Sequence, residues 1–206
     1  MFARRFKRFL VLGVAWAGLA VGGETVRLGN VQVDSAQRTV AMPGRVNQVS
    51  GAIELLACWP GGKTHESVFV LDVSPVDLQA ALLLLGLKPG TPPETLGHGA
   101  PRGPKVDLWV DWQSGGISNR LRAECFVYNH ETRRSLPRTP WIFTGSIVEH
   151  GEFKALAEES LVATYWDPWA IINVPLPCGT NDEILGVNTK VVPPLGTPVR
   201  FWIKPR

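Results

Sequence analysis

The side chains with the most chemical potential are a thiol, an imidazole and a carboxylate close together in the chain: Cys58, His65 and Glu54. Apolar segments flank Gly61-Gly62, and a glycine-rich turn between such segments is typical of a β-hairpin. A hairpin centred on these glycines would place Cys58 opposite His65, with Glu54 one repeat away on the same face. This pattern predicts a catalytic set of nucleophile, base and orienting group. The alternative is that Cys58 packs in the core as a small apolar residue.

The same stretch lacks the spacing of a metal or nucleotide site. Glu66 and two further histidines could join Cys58 and His65 around a metal ion, but the chain has no Cys-x-x-Cys or His-x-x-x-His pair. Residues 57–64 approximate a phosphate-binding loop, yet β-branched and aromatic residues follow where a helix would have to begin. We therefore expect no metal and no cofactor.

A second candidate surface lies on an alternating segment, residues 106–112. Its period of two places Asp107, Trp109 and Asp111 on one face and apolar residues on the other. Residues 120–128 alternate in the same way, and their two arginines are expected to face the two aspartates across a hairpin. An exposed aromatic surface marks recognition sites, so this face could bind a sugar or a cation. The alternative is charge pairing and packing alone.

The first 23 residues have the order of a secretory signal peptide. A basic head precedes an uncharged apolar run over residues 9–21, and small residues follow, with cleavage expected near residues 20–23. The apolar run is shorter than the ~20 residues that span a bilayer. We therefore predict export to the periplasm or beyond the cell, with no membrane span after cleavage. An uncleaved anchor is the alternative.

The charge of the chain belongs mostly to this leader. The whole chain carries +3, but four of its 21 Lys and Arg residues lie in the leader, which leaves 17 basic against 18 acidic side chains. No electrostatic footprint for nucleic acid remains. Three cysteines are too few for a disulfide scaffold, and their spacing does not select a pairing.

Short extended segments separated by Gly and Pro predict an α+β fold. We expect a single β-rich domain over residues 24–206, of mainly antiparallel strands and hairpins, with one main buried helix at about residues 75–86. Ser74 suits the N-cap of that helix and Gly86 its end. Residues 88–104, rich in Pro and Gly, are expected to form a loop.

From Cys58 onwards the chain resembles a family of bacterial exported domains called YdjY-like. The motif after the cysteine is a short turn and Gly-Lys-Thr-His-Glu-Ser at residues 62–67, and a leucine-rich helix end follows at residues 80–86. The resemblance continues through residues 141–146 and 187–199. It implies an exported domain and no particular activity. An association with ferredoxin-type electron carriers does not transfer, because three isolated cysteines cannot ligate a four-cysteine cluster.

These patterns favour a non-enzymatic exported domain that binds an envelope protein or a small ligand. The contact surface would be the rim of the 59–65 hairpin and the 88–104 loop. The expected binding residues are Lys63, Thr64, Glu66, Trp59 and Trp109. The alternative is a thiol-dependent enzyme or redox protein that uses Cys58 with His65.

Overall fold

The structure is a computed structural model that describes residues 25–158 and 160–206. The predicted signal peptide lies outside the described residues. Among the described helices, none combines the length and the hydropathy needed to cross a membrane.

The described residues form short strands and few helices. The strands are β1 (Thr25–Leu28), β2 (Val31–Asp34), β3 (Thr39–Val46), β4 (Leu55–Cys58), β5 (Ser67–Leu71), β6 (Lys105–Ser114), β7 (Ile117–Arg122), β8 (Val127–Asn129), β9 (Arg134–Ser135), β10 (Trp141–Phe143), β11 (Val148–Glu149), β12 (Glu152–Phe153), β13 (Ser160–Ala163), β14 (Ile172–Asn173), β15 (Leu185–Val187) and β16 (Pro198–Pro205). The α-helices are α1 (Pro75–Leu84) and α2 (Lys154–Ala157), and the 3₁₀ turns are Thr64–Glu66, Ala123–Phe126 and Pro177–Thr180.

Eight of these strands close into a barrel, which the sequence did not predict. Around the barrel the order is β3, β16, β6, β10, β14, β13, β4 and β5, and β5 pairs again with β3. The pairs β4–β5 and β13–β14 are parallel and the other pairs are antiparallel. The expectation of a β-rich, mainly antiparallel fold is therefore confirmed, but closure depends on pairs between segments far apart in the chain.

Beside the barrel, β1 and β2 extend the sheet from β3, and β7 extends it from β6. A region of six antiparallel strands results, in the order β1-β2-β3-β16-β6-β7. Its inner side lines the core, because alternate residues of the strands are buried there. On β6, for example, Val106, Leu108 and Val110 are fully buried, whereas the residues between them are partly exposed. The period-two prediction for this strand is confirmed.

Helix α1 begins and ends where the sequence indicates. The Ser74 hydroxyl accepts a hydrogen bond from the Val76 amide at 3.2 Å, and Gly86 follows the helix with a φ of 81°. The expectation of a buried helix is correct for one side only, however. Leu78 and Leu82 are buried, but Leu84 is 57% exposed, because the helix packs on the sheet through one side only.

The seam that closes the barrel contains a residue that has no room for a side chain. Gly44 of β3 lies opposite Leu71 of β5. A Cβ atom on Gly44 would lie 2.6 Å from the Val70 carbonyl oxygen and 2.7 Å from a Leu71 methyl carbon. The two strands approach this closely because glycine leaves the space empty.

We expect Gly44→Ala to lower the free energy of unfolding by about 1–3 kcal/mol, as overpacked sites do. The matched control is Arg45→Ala in the same seam, whose exposed side chain forms a surface ion pair with Asp72 at 2.9 Å. That control should lose no more than about 1 kcal/mol. Urea unfolding of the three proteins measures the difference, and equal losses would contradict the steric role of Gly44.

Candidate functional site

The chain does reverse at Gly61-Gly62, but the two flanking strands are parallel and not antiparallel. The Gly62 amide donates to the Trp59 carbonyl at 2.8 Å, which forms the predicted turn. The returning chain then runs beside the sheet as the 3₁₀ turn Thr64–Glu66 and enters β5 in the same direction as β4. The Asn47 side chain stabilises this return by donating to the carbonyls of Thr64 and Ser67 at 2.6 and 2.8 Å. The predicted hairpin register is therefore wrong.

The parallel register separates Cys58 from His65. Cys58 lies level with Val70, whereas Ser67, next to the 3₁₀ turn, lies level with Leu55. Three residues of strand separate these levels, or about 10 Å. Cys58 is fully buried, in a small cluster with Val70 and two alanines, and the His65 side chain is 79% exposed. Catalytic roles for these residues stay predictions, and the geometry on which they were based is absent.

The carboxylate beside His65 is Glu66 and not Glu54. The Glu66 carboxylate lies 3.5 Å from the His65 ring nitrogen and 3.8 Å from the Lys63 ammonium. The Glu54 amide donates to the Glu66 carbonyl at 3.1 Å, so the two glutamates are neighbours. Burial and the negative charge of Glu66 raise the pKa of Glu54. The side chains of Lys63, Glu66 and Glu54 thus interact mainly with one another.

The other predicted binding residues of this segment have structural contacts. Trp59 is partly buried against the core, and Thr64 supplies its carbonyl to Asn47. A shallow hollow of about 430 Å³ lies beside Trp59 and Pro60. It is bordered by the turn between β1 and β2 and by the start of α1, and not by the 88–104 loop. The two parts of the contact surface expected from the sequence therefore do not line this hollow together.

The predicted face around Trp109 is more extensive than the sequence indicated. In the six-stranded region, Trp109 of β6 lies directly opposite Trp202 of β16. Trp202 in turn lies opposite Ala41 of β3, and Ala41 opposite Gln32 of β2. All of these side chains belong to the outer side of the sheet, because the residues that alternate with them are buried.

The two aspartates of this side pair with arginines, as the sequence predicts. Arg120 binds Asp111 through two hydrogen bonds of 2.6 Å. Asp107 accepts hydrogen bonds from Arg122 at 2.8 Å and from Arg206 at 2.7 Å. Burial tends to raise the pKa of Asp107, but the bonds from Arg206 and Arg122 hold that pKa below its usual value. The carboxylates of both aspartates already bind arginines, so a cation would have to displace an arginine to bind here.

Arginines also lie on the indole rings. The Arg200 guanidinium is 4.6 Å from the centroid of Trp202, and Arg120 is 5.3 Å from the same ring. Arg122 is 5.2 Å from the centroid of Trp109. These distances fall within the range of cation–π contacts.

We call this surface the tryptophan face and define it by the residues that border the hollow beside Trp109 and Trp202. The hollow has a volume of about 580 Å³. It is lined by Thr25, Gln32, Asp34, Gln37, Thr39, Ala41, Trp109, Arg120, Arg200, Trp202 and Lys204. Aromatic rings with a few polar groups around them are the usual lining of a small-molecule site.

Comparison with known families assigns the chain. The YdjY domain matches residues 31–204. The chain belongs to the YdjY domain family. Searches of the curated proteins and of the solved structures return no significant match. In this YdjY domain the matched segment includes both the Cys58 region and every strand of the tryptophan face except β1.

Most residues of the tryptophan face of this YdjY domain were not predicted from the sequence. Trp109 was expected to bind, but Trp202, Arg200 and Gln32 were not singled out. The signal was present in β16, where Arg200, Trp202 and Lys204 alternate with buried apolar residues. That alternation shows that the three side chains share a side of the sheet, although it does not show which strand lies next to them.

We expect the Cys58 thiol to react with an alkylating reagent only as fast as the YdjY domain unfolds, because the residue is fully buried. Burial also raises the pKa of Cys125 and of Cys178, so these thiols should react slowly at neutral pH. Mass spectrometry of the labelled peptides, with Cys58→Ala to assign the adduct, measures the three rates.

His65→Ala is the matched variant for this measurement. It should change the rate at Cys58 by less than a factor of two, because His65 lies at the other end of the strand pair. Rapid labelling of Cys58 in the folded protein, slowed by His65→Ala, would contradict this expectation. It would support the alternative that Cys58 is a reactive thiol activated by His65.

Proposed function

We propose that this YdjY domain is an exported, non-enzymatic binding protein and that the tryptophan face binds a saccharide. The observation that carries the proposal is the placement of Trp109 and Trp202 side by side on the outer side of the sheet, where both line an open hollow of about 580 Å³. Neither ring is fully buried. Large aromatic surfaces of this kind supply much of the energy of recognition.

The polar residues around the hollow favour a saccharide over a purely apolar ligand. Gln32, Gln37, Thr25 and Thr39 offer amide and hydroxyl groups that both donate and accept hydrogen bonds. Sugar hydroxyl groups also donate and accept, and the C–H side of a sugar ring is apolar enough to pack on an indole. A hollow lined by aromatic rings and by amide and hydroxyl groups matches both properties.

The arrangement of the aspartates argues against the other ligand expected for this face, a cation. A cation would need carboxylate oxygens, but those of Asp107 and Asp111 already accept hydrogen bonds from arginines and from the Trp202 indole, the last at 2.9 Å. Displacing an arginine from its carboxylate would leave a charge unpaired. The saccharide is therefore the better-supported ligand.

Saccharide binding is tested by titration with oligosaccharides while the indole N–H signals are followed by NMR. A chitin tetramer, a cellulose tetramer and an oligogalacturonate are suitable probes. We expect at least one probe to shift the signals of Trp109 and Trp202 and not that of the buried Trp141. Trp109→Ala should weaken that binding at least tenfold, or by about 1.4 kcal/mol.

The matched control is Trp169→Ala, which removes a partly buried tryptophan outside the hollow. It should keep the affinity of the unaltered protein within a factor of two. The proposal fails if no probe shifts Trp109 or Trp202, or if both variants bind equally well.

Export is the second part of the proposal, and it is supported by the basic head and apolar run of the first 23 residues. After expression of the full chain in a Gram-negative host, we expect the protein in the periplasmic fraction, with a new N-terminus close to residue 21–24. Deletion of residues 2–23 should leave it in the cytoplasm. Recovery of the intact N-terminus in the membrane fraction would show an uncleaved anchor instead.

A further inference from the structure

Two cations of the tryptophan face have no carboxylate partner among the described residues. They are Arg200 and Lys204, which lie four residues apart on the outer side of β16 and border the same hollow. The ion pairs of the described residues include the arginines of β7 and Arg206, but neither of these two side chains. The cations of the face that form no ion pair among the described residues therefore lie on β16, and the hollow also contains one carboxylate, Asp34 of β2.

The sheet register makes it unexpected that these two cations form no ion pair with the described residues. Arg200 lies directly opposite Asp111, and Lys204 lies directly opposite Asp107. Opposite charges at directly opposed positions normally pair across two strands. Here both aspartates instead bind arginines from other elements, Arg120 for Asp111 and Arg122 for Asp107, with distances of 2.6 and 2.8 Å.

Asp111 shows why Arg200 forms no ion pair with the carboxylate opposite it. One Asp111 oxygen accepts from Arg120, and the other accepts from both Arg120 and the Trp202 indole at 2.9 Å. The carboxylate next to Arg200 thus already has three donors. Among the described residues no carboxylate forms an ion pair with Arg200, so its guanidinium is open to an anion from another molecule.

Arg200 is also held in position for such an anion. Its guanidinium lies over the Trp202 ring at 4.6 Å, and its Nη2 donates to the Gln32 side-chain oxygen. A guanidinium fixed on an aromatic ring loses less side-chain entropy when it binds a carboxylate. Arg200 also borders two adjoining hollows of about 650 and 230 Å³, in addition to the hollow beside the tryptophans.

We propose that the ligand of the tryptophan face is an acidic saccharide, an oligosaccharide of uronate units whose carboxylate binds Arg200. This inference rests on the proposed function and adds the chemical class of the ligand. A carboxylate can accept two parallel hydrogen bonds from one guanidinium. The sugar ring then contacts those parts of Trp109 and Trp202 that line the hollow and that the arginines leave uncovered.

The spacing of the two cations favours an oligosaccharide over a single sugar. Arg200 and Lys204 are separated by four residues of extended strand, or about 13 Å. That distance exceeds the width of one sugar ring. The adjoining hollows continue the surface on both sides of Arg200, so a chain can extend beyond the unit that contacts this residue.

The test compares acidic oligosaccharides with their methyl esters, which have the same rings without the charge. Suitable probes are oligomers of galacturonate, of mannuronate and of alternating glucuronate and N-acetylglucosamine, titrated calorimetrically against the protein. We expect at least one acid to bind, and its ester to bind at least tenfold more weakly. Arg200→Gln should weaken binding of the acid at least tenfold and change binding of the ester by less than a factor of two.

Arg134→Gln is the matched control, because Arg134 is an exposed arginine of β9 in a separate sheet. It should leave both affinities unchanged, and circular dichroism confirms that the variants fold. Equal binding of acid and ester that depends on Trp109 would overturn the acidic ligand and leave saccharide binding in place. Equal weakening by Arg134→Gln would show a non-specific charge effect and overturn the role of Arg200. No binding by any acid or ester would overturn the acidic ligand, and saccharide binding would then stand or fall with the neutral chitin and cellulose tetramers.

Discussion

The closure of the barrel between β3 and β5 is the constraint on which the rest of the structure depends. Closure gives each strand one side that faces an enclosed interior, where an unpaired polar group would be costly. Apolar residues such as Phe201 and Val110 fill that interior, and the alternating positions of the same strands are left for polar and aromatic residues. The tryptophan face is therefore the outer side of the strands whose inner side forms the core. The absence of a side chain at Gly44 allows the seam to close.

The charges of the outer side are organised by the same topology. β6 lies between β7 and β16, so its aspartates have cationic neighbours on both sides. Arg120 reaches Asp111 with two hydrogen bonds, and Arg122 and Arg206 both reach Asp107. Both arginines of β7 form ion pairs, whereas Arg200 and Lys204 of β16 form none among the described residues. The face consequently combines a rigid base of ion pairs with an exposed guanidinium on an indole ring.

Features that depend on neighbours along the chain could be predicted well. The limits of α1 depend on Ser74 and Gly86, and the pairing of Asp111 with Arg120 occurs across a short hairpin, so a local pattern is sufficient. The arrangement of Cys58 and His65 could not be predicted, although these residues are also close in the chain. A glycine pair permits the chain to reverse. It does not determine whether the returning chain forms a strand that pairs with the strand before the turn. Here the Asn47 side chain binds the returning segment, and β13 occupies the side of β4 that a hairpin partner could have used.

The sequence alone determined the family, the β-rich character, the ends of the main helix and the side of the sheet on which Trp109 lies. The tertiary structure decided that β16 is the neighbour of β6, which places Trp202 and Arg200 beside Trp109 and leaves Arg200 in no ion pair with the described carboxylates. The physical reason is that a period of two specifies which side chains share a side of a strand, because it follows from backbone geometry alone. The choice of neighbouring strand depends on how all the strands together enclose one core.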